Sequence, residues 1–265
     1  MEARASAATV GVLAAVLWLF GIVWWGRQRR RERHQVAGVA RVLAIFPHPD
    51  DETVACGGTL RRLAALHREV TLLVLTRGER GAGGGSPEMG LGDRRRAEME
   101  LAARHLRVTR LLQWQFPDGG LAQQGDRLRP RLELLVQSLR PDLLVTFGPD
   151  GLYGHPDHVA CSELVSQVRS RARPKPRLWC VALPRPMRRA LVLLGSLPTE
   201  SGAGGPALDP TASVFVWPGL GAKVRAWRAH QSQRRAIGAG AGRLFPSWVL
   251  PALQPFEYFH EVSTR

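Results

Sequence analysis

The chain has 265 residues, of which 45% are hydrophobic. That is enough apolar material for one sizeable α/β domain, and it excludes wholesale disorder. Its net charge of +15 raises a nucleic-acid reading, but the arginines are scattered and no recognised binding module gathers them, so no nucleic-acid partner is expected. Three cysteines, Cys56, Cys161 and Cys180, are an odd number without a Cys-x-x-Cys pair. They read as small buried hydrophobes in a reducing compartment.

The first 36 residues differ from the rest. No charge interrupts the run between Arg4 and Arg27, which as a helix of about 1.5 Å per residue spans roughly 33 Å, enough for a hydrocarbon core of ~30 Å. Trp24 and Trp25 close the run, followed by Arg27, Arg29, Arg30, Arg31 and Arg33. The basic cluster comes after the apolar run and no small-residue cleavage site is present, so the pattern is that of an uncleaved anchor and not a signal peptide. The positive-inside rule then places the next domain in the cytoplasm, at the endoplasmic reticulum or a bacterial inner membrane. Residues 1–36 are thus expected to be a single-pass anchor with a basic juxtamembrane segment, and residues 37–265 the functional domain.

From Arg41 onward short apolar runs alternate with helical patterns. Strands are predicted at 42–46, 70–75, 111–116, 143–147 and 178–183, and helices at 52–67, 94–105, 129–139 and 158–171. On the helix at 94–105, Ala97, Leu101 and Ala102 are expected to form the apolar face. Near-continuous apolar strands separated by helices predict an α/β, Rossmann-like, mostly parallel sheet with helices on both faces. Ligands bind such sheets beyond the carboxyl ends of the strands. The glycine-rich stretch 77–92 and the Gly/Pro-rich stretch 198–210 read as loops over that end. The apolar run 190–194 reads as a short helix near a membrane or a lipid tail.

Two clusters fall at that end. Pro47-His48-Pro49-Asp50-Asp51-Glu52 comes after the first strand, and Tyr153-Gly154-His155-Pro156-Asp157-His158 after the fourth. Taken alone, the first has a plainer explanation: proline ends the strand, and acidic residues cap and favour the start of a helix. That does not explain a second cluster of the same grammar. Two imidazoles and a carboxylate with open positions suit a catalytic metal of the zinc or ferrous type. Such an ion activates water and polarises a carbonyl, a second carboxylate can take the proton, and another imidazole can stabilise an oxyanion. Together these are the groups needed to hydrolyse an amide.

With these motifs the chain resembles the LmbE/PIG-L de-N-acetylases. Weaker echoes are Thr76-x-Gly78-Glu79, Arg95-Arg96-x-Glu98, Phe116-x-Asp118 and His230-x-Ser232-Gln233, so the similarity runs from Arg41 to Gln233. The resemblance implies a metal, Zn²⁺ or Fe²⁺, held by His48, Asp51 and His158. It implies Asp50 as general base, and His155 as general acid and oxyanion stabiliser oriented by Asp157. Tyr153 stands where some relatives have a mobile tyrosine. Arg95 and Glu98 are expected at the substrate, in the cleft wall or as scaffold, with a plain exposed helix pair as the alternative, and Glu52 and His230 are left without a role. The substrate implied is an N-acetylglucosamine (GlcNAc) conjugate. The anchor and basic charge favour a lipid- or phosphate-linked one, as in GPI-anchor synthesis. The intact second motif is closer to the soluble bacterial type, so a soluble GlcNAc-inositol or oligosaccharide conjugate is the alternative, and a silent membrane-tethered binding protein another.

Overall fold

The structure is a computed structural model that describes residues 35–81, 90–193, 204–233 and 255–262. The chain divides into two compact units, Met1–Gly38 and Val39–Arg265, and the second holds every strand and helix named here. The expected anchor lies outside the described residues. Among the described residues no helix is long and apolar enough to cross a membrane.

In chain order the elements are β1 (Arg41–Phe46), α1 (Asp51–Ala65), β2 (Glu69–Thr76), α2 (Leu91–Leu106), β3 (Arg110–Phe116) and α3 (Gly125–Leu139). They continue with β4 (Leu143–Phe147), the one-turn α4 (Gly151–Gly154), α5 (Pro156–Arg171), β5 (Arg177–Val181), α6 (Arg185–Leu193), β6 (Ala212–Phe215), α7 (Leu220–Ala229) and β7 (Phe256–Val262). The seven strands form one sheet in the order β3-β2-β1-β4-β5-β7-β6. The first five run parallel, and β7 lies antiparallel to both β5 and β6. The expected α/β class and parallel strands are therefore present. The antiparallel β6–β7 edge and α7 lie beyond the elements predicted from the sequence.

The central strands are apolar on both sides because both faces are covered. Leu43, Ile45, Leu73, Leu75, Leu144 and Leu178 meet Leu132 and Val136 of α3 and Val165 and Val168 of α5 in one core cluster. The alternate residues Val42, Ala44, Leu72, Val145 and Trp179 are equally buried and by the pleat face the other way. Helices α1, α2 and α7 pack on one another, with α1 against β1 and β2.

On α2 the expected face is right at Ala102 and wrong at Ala97 and Leu101. The buried side carries Arg95, Met99, Ala102, Ala103 and Leu106, while Ala97 and Leu101 are exposed. Arg95 is the reason: its guanidinium is buried by hydrogen bonds to the Gly78 and Pro49 carbonyls, and this turns the helix's inward side toward it.

Chain order fixes where a site can form. β1 pairs with β2 on one side and with β4 on the other, so connections leave the sheet in opposite directions at this junction. A crevice opens beyond the carboxyl ends of these two strands, and each strand leads the chain into one of the two His-Pro-Asp clusters.

Candidate metal centre and active site

Pro47 ends β1, and its carbonyl accepts from both the backbone N–H and the hydroxyl of Thr76, each at 3.0 Å. The loop therefore cannot drift from the end of β2. His48 then turns inward. Its backbone N–H donates to Asp51 Oδ2 at 2.9 Å, and its ring Nδ1 lies 3.3 Å from that same oxygen. From the other motif, His158 Nε2 stands 3.3 Å from Asp51 Oδ1. His158 Nδ1 lies 3.1 Å from the Gly151 carbonyl, to which only an N–H can bond, so Nε2 presents its lone pair. The ring is stacked on Phe147 at 4.1 Å.

These three donors fit a metal. Ligand atoms about 2.1 Å from a tetrahedral ion stand roughly 3.4 Å apart, and His48 Nδ1 and His158 Nε2 each stand 3.3 Å from Asp51, on a different carboxylate oxygen for each ring. The far side of His48 is built as metal-binding histidines usually are: Nε2 faces Asp118 Oδ1 at 3.1 Å and Asp157 Oδ2 at 3.2 Å. Among the described residues, two clusters have donor atoms all within 4.8 Å of one another, His48 with His155 and His158, and His48 with Asp118 and Asp157. In the latter both carboxylates converge on one ring nitrogen and are already bonded to backbone: Asp157 accepts from Gly119 and Leu121 N–H at 2.7 and 3.0 Å, and Asp118 from Arg80 N–H at 2.9 Å. They serve as supports of His48.

The electrostatics agree. Burial alone would lower the His48 pKa, but Asp118, Asp157 and Asp51 outweigh it and hold it well above the usual imidazole value. Burial would raise Asp51, yet His158 and His48 hold it well below the usual carboxylate range. Asp118 and Asp157 are lowered too, with His48 overcoming their burial. The pocket favours positive charge at its centre.

Asp50 occupies the unusual backbone position. Its φ of 110° is one that L-residues rarely adopt. Its carboxyl is pushed up to about 7, chiefly by burial, with Arg95 opposing. Arg95 NH2 lies 3.4 Å from Asp50 Oδ1 and donates to the Pro49 carbonyl at 2.5 Å, while NH1 donates to the Gly78 carbonyl at 2.9 Å. Gly78 is required here. Its φ is +66°, and a Cβ would fall 2.5 Å from the Arg95 guanidinium.

His155 caps α5: its Nδ1 accepts from the Asp157 backbone N–H at 3.2 Å. Burial and the neighbouring His158 and His48 lower it to about 4. Tyr153 packs edge-on to His158, 5.2 Å between ring centres, and burial raises its hydroxyl pKa.

The structure thus brings His48, Asp50, Asp51, Tyr153, His155 and His158 around one cavity of about 100 Å³, with Arg95, Gly81, Asp118 and Gln233 completing the wall. Two expectations change. Asp157 orients His155 through its backbone N–H, while its carboxylate serves His48. Glu98 is scaffold and not in the wall: it accepts from the Ser232 N–H and hydroxyl at 2.9 and 2.7 Å and so holds the turn after α7. Asp118 and Gln233 had no role assigned from the sequence, although both stood in short motifs at the ends of elements. Glu52 and His230, left without a role, form a buried pair at 3.3 Å.

The profile of the PIG-L family, described as GlcNAc-PI de-N-acetylase, matches residues 43–169. The chain is 32% identical over 238 residues to the 1D-myo-inositol 2-acetamido-2-deoxy-alpha-D-glucopyranoside deacetylase of Corynebacterium glutamicum (strain R), covering 78% of this chain and 79% of that one. It is 31% identical over 233 residues to the enzyme of the same name from Nakamurella multipartita, covering 76% and 79%. Among solved structures, teicoplanin deacetylase Orf2 in its zinc-inhibited form superposes with a TM-score of 0.62 at 17% identity, covering 85% of this chain and all of that one. The N,N'-diacetylchitobiose deacetylase of Pyrococcus horikoshii does so with 0.57 at 22%, covering 86% and 85%. The protein is a metal-dependent hydrolase of the de-N-acetylase class. It belongs to the PIG-L/LmbE family.

Proposed function

We propose that the protein removes the N-acetyl group from a soluble GlcNAc conjugate of the GlcNAc-inositol type. Two things support this reading over a lipid-linked substrate: the relatives named for GlcNAc-inositol deacetylation and the intact Tyr153-to-His158 motif. The observation that carries the chemistry is Asp51 standing between His48 and His158, with Asp50 beside it in the same small cavity. His48, Asp51 and His158 would hold a divalent ion, with zinc and ferrous iron the candidates. When bound, such an ion lowers the pKa of water and polarises the acetyl carbonyl.

The chain's own groups do the rest. Asp50 takes the proton of the attacking water. The ring proton of neutral His155 sits on Nε2, because Nδ1 accepts from the Asp157 N–H. An imidazolium would direct a second N–H at that donor. His155 in this geometry therefore donates to the acetyl oxygen as negative charge develops, and the proton for the leaving amine returns from Asp50. The expected general-acid role of His155 is narrowed to oxyanion support. Tyr153 keeps its hydroxyl proton and adds a second donor. At about 100 Å³ the cavity admits the reacting acetamido group, while sites for whole drug-sized ligands run roughly 300–1,000 Å³; the sugar and its aglycone lie outward.

One observation favours a second reading, an aglycone with an apolar or phosphate-bearing part. A cavity of about 670 Å³ is lined by Leu183, Val192, Leu193 and Leu208 with Arg185, Arg188 and Arg189. Arg188 donates to the Leu152 carbonyl at 2.7 Å, next to Tyr153. The uncharged run before Arg27 supports a related reading, a domain tethered at the cytoplasmic face of a membrane, which fractionation of full-length and 37–265 chains tests.

Acetate release from GlcNAc-inositol and from GlcNAc-phosphatidylinositol, with and without chelator, tests the main reading. The expected result is chelator-sensitive turnover of GlcNAc-inositol that returns with Zn²⁺ or Fe²⁺, and about 10²–10⁴-fold slower in Asp50→Asn. Turnover of the lipid alone would move the substrate to the second reading. No dependence on metal would overturn the mechanism.

A further inference from the structure

The proposed mechanism uses Asp50 but does not explain how a non-glycine residue is kept at φ 110°. A nearby residue supplies the restraint. Glu52 is fully buried, and its Oε2 accepts the backbone N–H of Asp50 at 3.1 Å. Its other oxygen, Oε1, accepts the hydroxyl of Thr53 and faces His230 Nε2 at 3.3 Å. His230 is fully buried as well, and comes from the turn that ends α7, 178 residues away. Its Nδ1 has no hydrogen-bond partner among the described residues, so its polar contacts are Glu52 and, at 3.4 Å, Thr53 Oγ1.

We propose that Glu52 and His230 form a positioning pair, in which His230 fixes the Glu52 carboxylate so that it holds the Asp50 backbone in its strained turn and thereby aims the catalytic carboxylate. The inference rests on Asp50 being the base.

Three features separate this from ordinary core packing. First, the bond from Glu52 goes to the backbone N–H of Asp50 itself, which has the largest positive φ among the non-glycine residues described. Second, Arg95 grips the same residue from the other side, through the Pro49 carbonyl and Asp50 Oδ1. The base is therefore clamped between a carboxylate on its N–H and a guanidinium on its side chain. Third, His230 opens the turn whose Gln233 reaches the cavity wall and whose Ser232 is tied to Glu98. Neither Glu52 nor His230 lines the cavity, so neither touches substrate.

Full-length protein carrying Glu52→Ala, Glu52→Gln, His230→Ala, the Glu52→Ala/His230→Ala double change and Asp50→Asn would be compared for kcat, KM, bound metal and melting temperature, on whichever GlcNAc conjugate the parent turns over. Misplacing a catalytic group by about 1 Å can cost ~10²-fold, so Glu52→Ala is expected to lose about that in kcat with KM and metal content near those of the parent. Glu52→Gln keeps an acceptor for the Asp50 N–H and should recover to within roughly 10-fold. His230→Ala should cost less than Glu52→Ala, and the double variant no more than Glu52→Ala alone, as for residues acting as one unit. A Glu52→Ala enzyme that is folded, metal-loaded and as fast as the parent would overturn the pair. So would a Glu52→Ala loss of activity matched by equal loss of bound metal, or by no recovery in Glu52→Gln. If Asp50→Asn is itself active, the reading of Asp50 as base fails first, and this inference falls with it for that separate reason.

Discussion

His48 is held from both sides, and each side has its own consequence. Asp118 and Asp157 face its Nε2 at 3.1 and 3.2 Å, so they set the ring's orientation and sharpen the donor on Nδ1. Replacing such a supporting carboxylate typically weakens metal binding about 10–100-fold. Asp118→Asn is therefore expected to raise the metal dissociation constant by that factor, read by competition with a chromogenic chelator, while the fold is retained. Gly78→Ala acts on the other flank. Its added Cβ meets the Arg95 guanidinium, so Arg95 must leave the Pro49 and Gly78 carbonyls and the Asp50 carboxylate. Loss of turnover with bound metal largely retained is the expected pattern, measured by acetate release beside metal stoichiometry. Much of this residue-level picture was legible in the sequence, because His, Asp and Tyr at the ends of strands have few other reasons to cluster. What was not legible is which atom of each residue is used. Asp157 supports His155 with its N–H and His48 with its carboxylate, a division that depends on coordinates alone.

Elements are joined by buried charge that the pattern of apolar residues could not reveal. α1 departs from helical geometry at Cys56, and beyond that break the N–H groups of Gly58 and Thr59 donate to Glu257 of β7 at 2.9 and 2.6 Å. Glu257 also takes Lys223 Nζ of α7 at 2.7 Å, both side chains being essentially inaccessible. One carboxylate thus ties three elements, two of which were not predicted from the sequence. Removing one partner of a buried pair typically costs about 3–5 kcal/mol, so Glu257→Ala is expected to lose about that much stability in denaturant melts. The half-buried counterpart is Arg177 with Glu261, at 2.7 Å between β5 and β7. Burial would raise the Glu261 pKa, but Arg177 outweighs it and holds it below the usual glutamate value. A depressed carboxylate stabilises the fold above its unfolded pKa and stops doing so as pH falls through its folded one. The melting-temperature difference between the parent and Glu261→Gln should accordingly be present well above the unfolded glutamate pKa of about 4.3 and fade as the pH is taken progressively below it.

At the scale of the whole molecule, the parallel core and the carboxyl-terminal edge differ in how they are encoded. β1, β2, β4 and β5 are continuous apolar runs, legible because nothing else is so apolar for so short a length. The antiparallel edge fails that test. β6 spans Ala212–Phe215, and β7 carries Glu257, His260 and Glu261 within Phe256–Val262, so neither shows an unbroken apolar run. A ligand that binds the folded state alone stabilises it by about 2.7 kcal/mol at 100 times its dissociation constant. Metal loading should therefore raise the melting temperature, and chelation lower it, even in Asp50→Asn. The switch point between β1 and β4 has a further consequence, for synthesis. Asp51 and His158 are more than 100 residues apart, which at 5–20 residues per second is roughly 5–20 s of translation. During that interval the nascent chain carries two of the three proposed ligands and, at first, a central strand lacking its β4 neighbour. A ribosome-bound chain stopped before β4 should therefore take up metal no better than a chain without His158, and cellular metal supply acts on this protein only after most of it has been made.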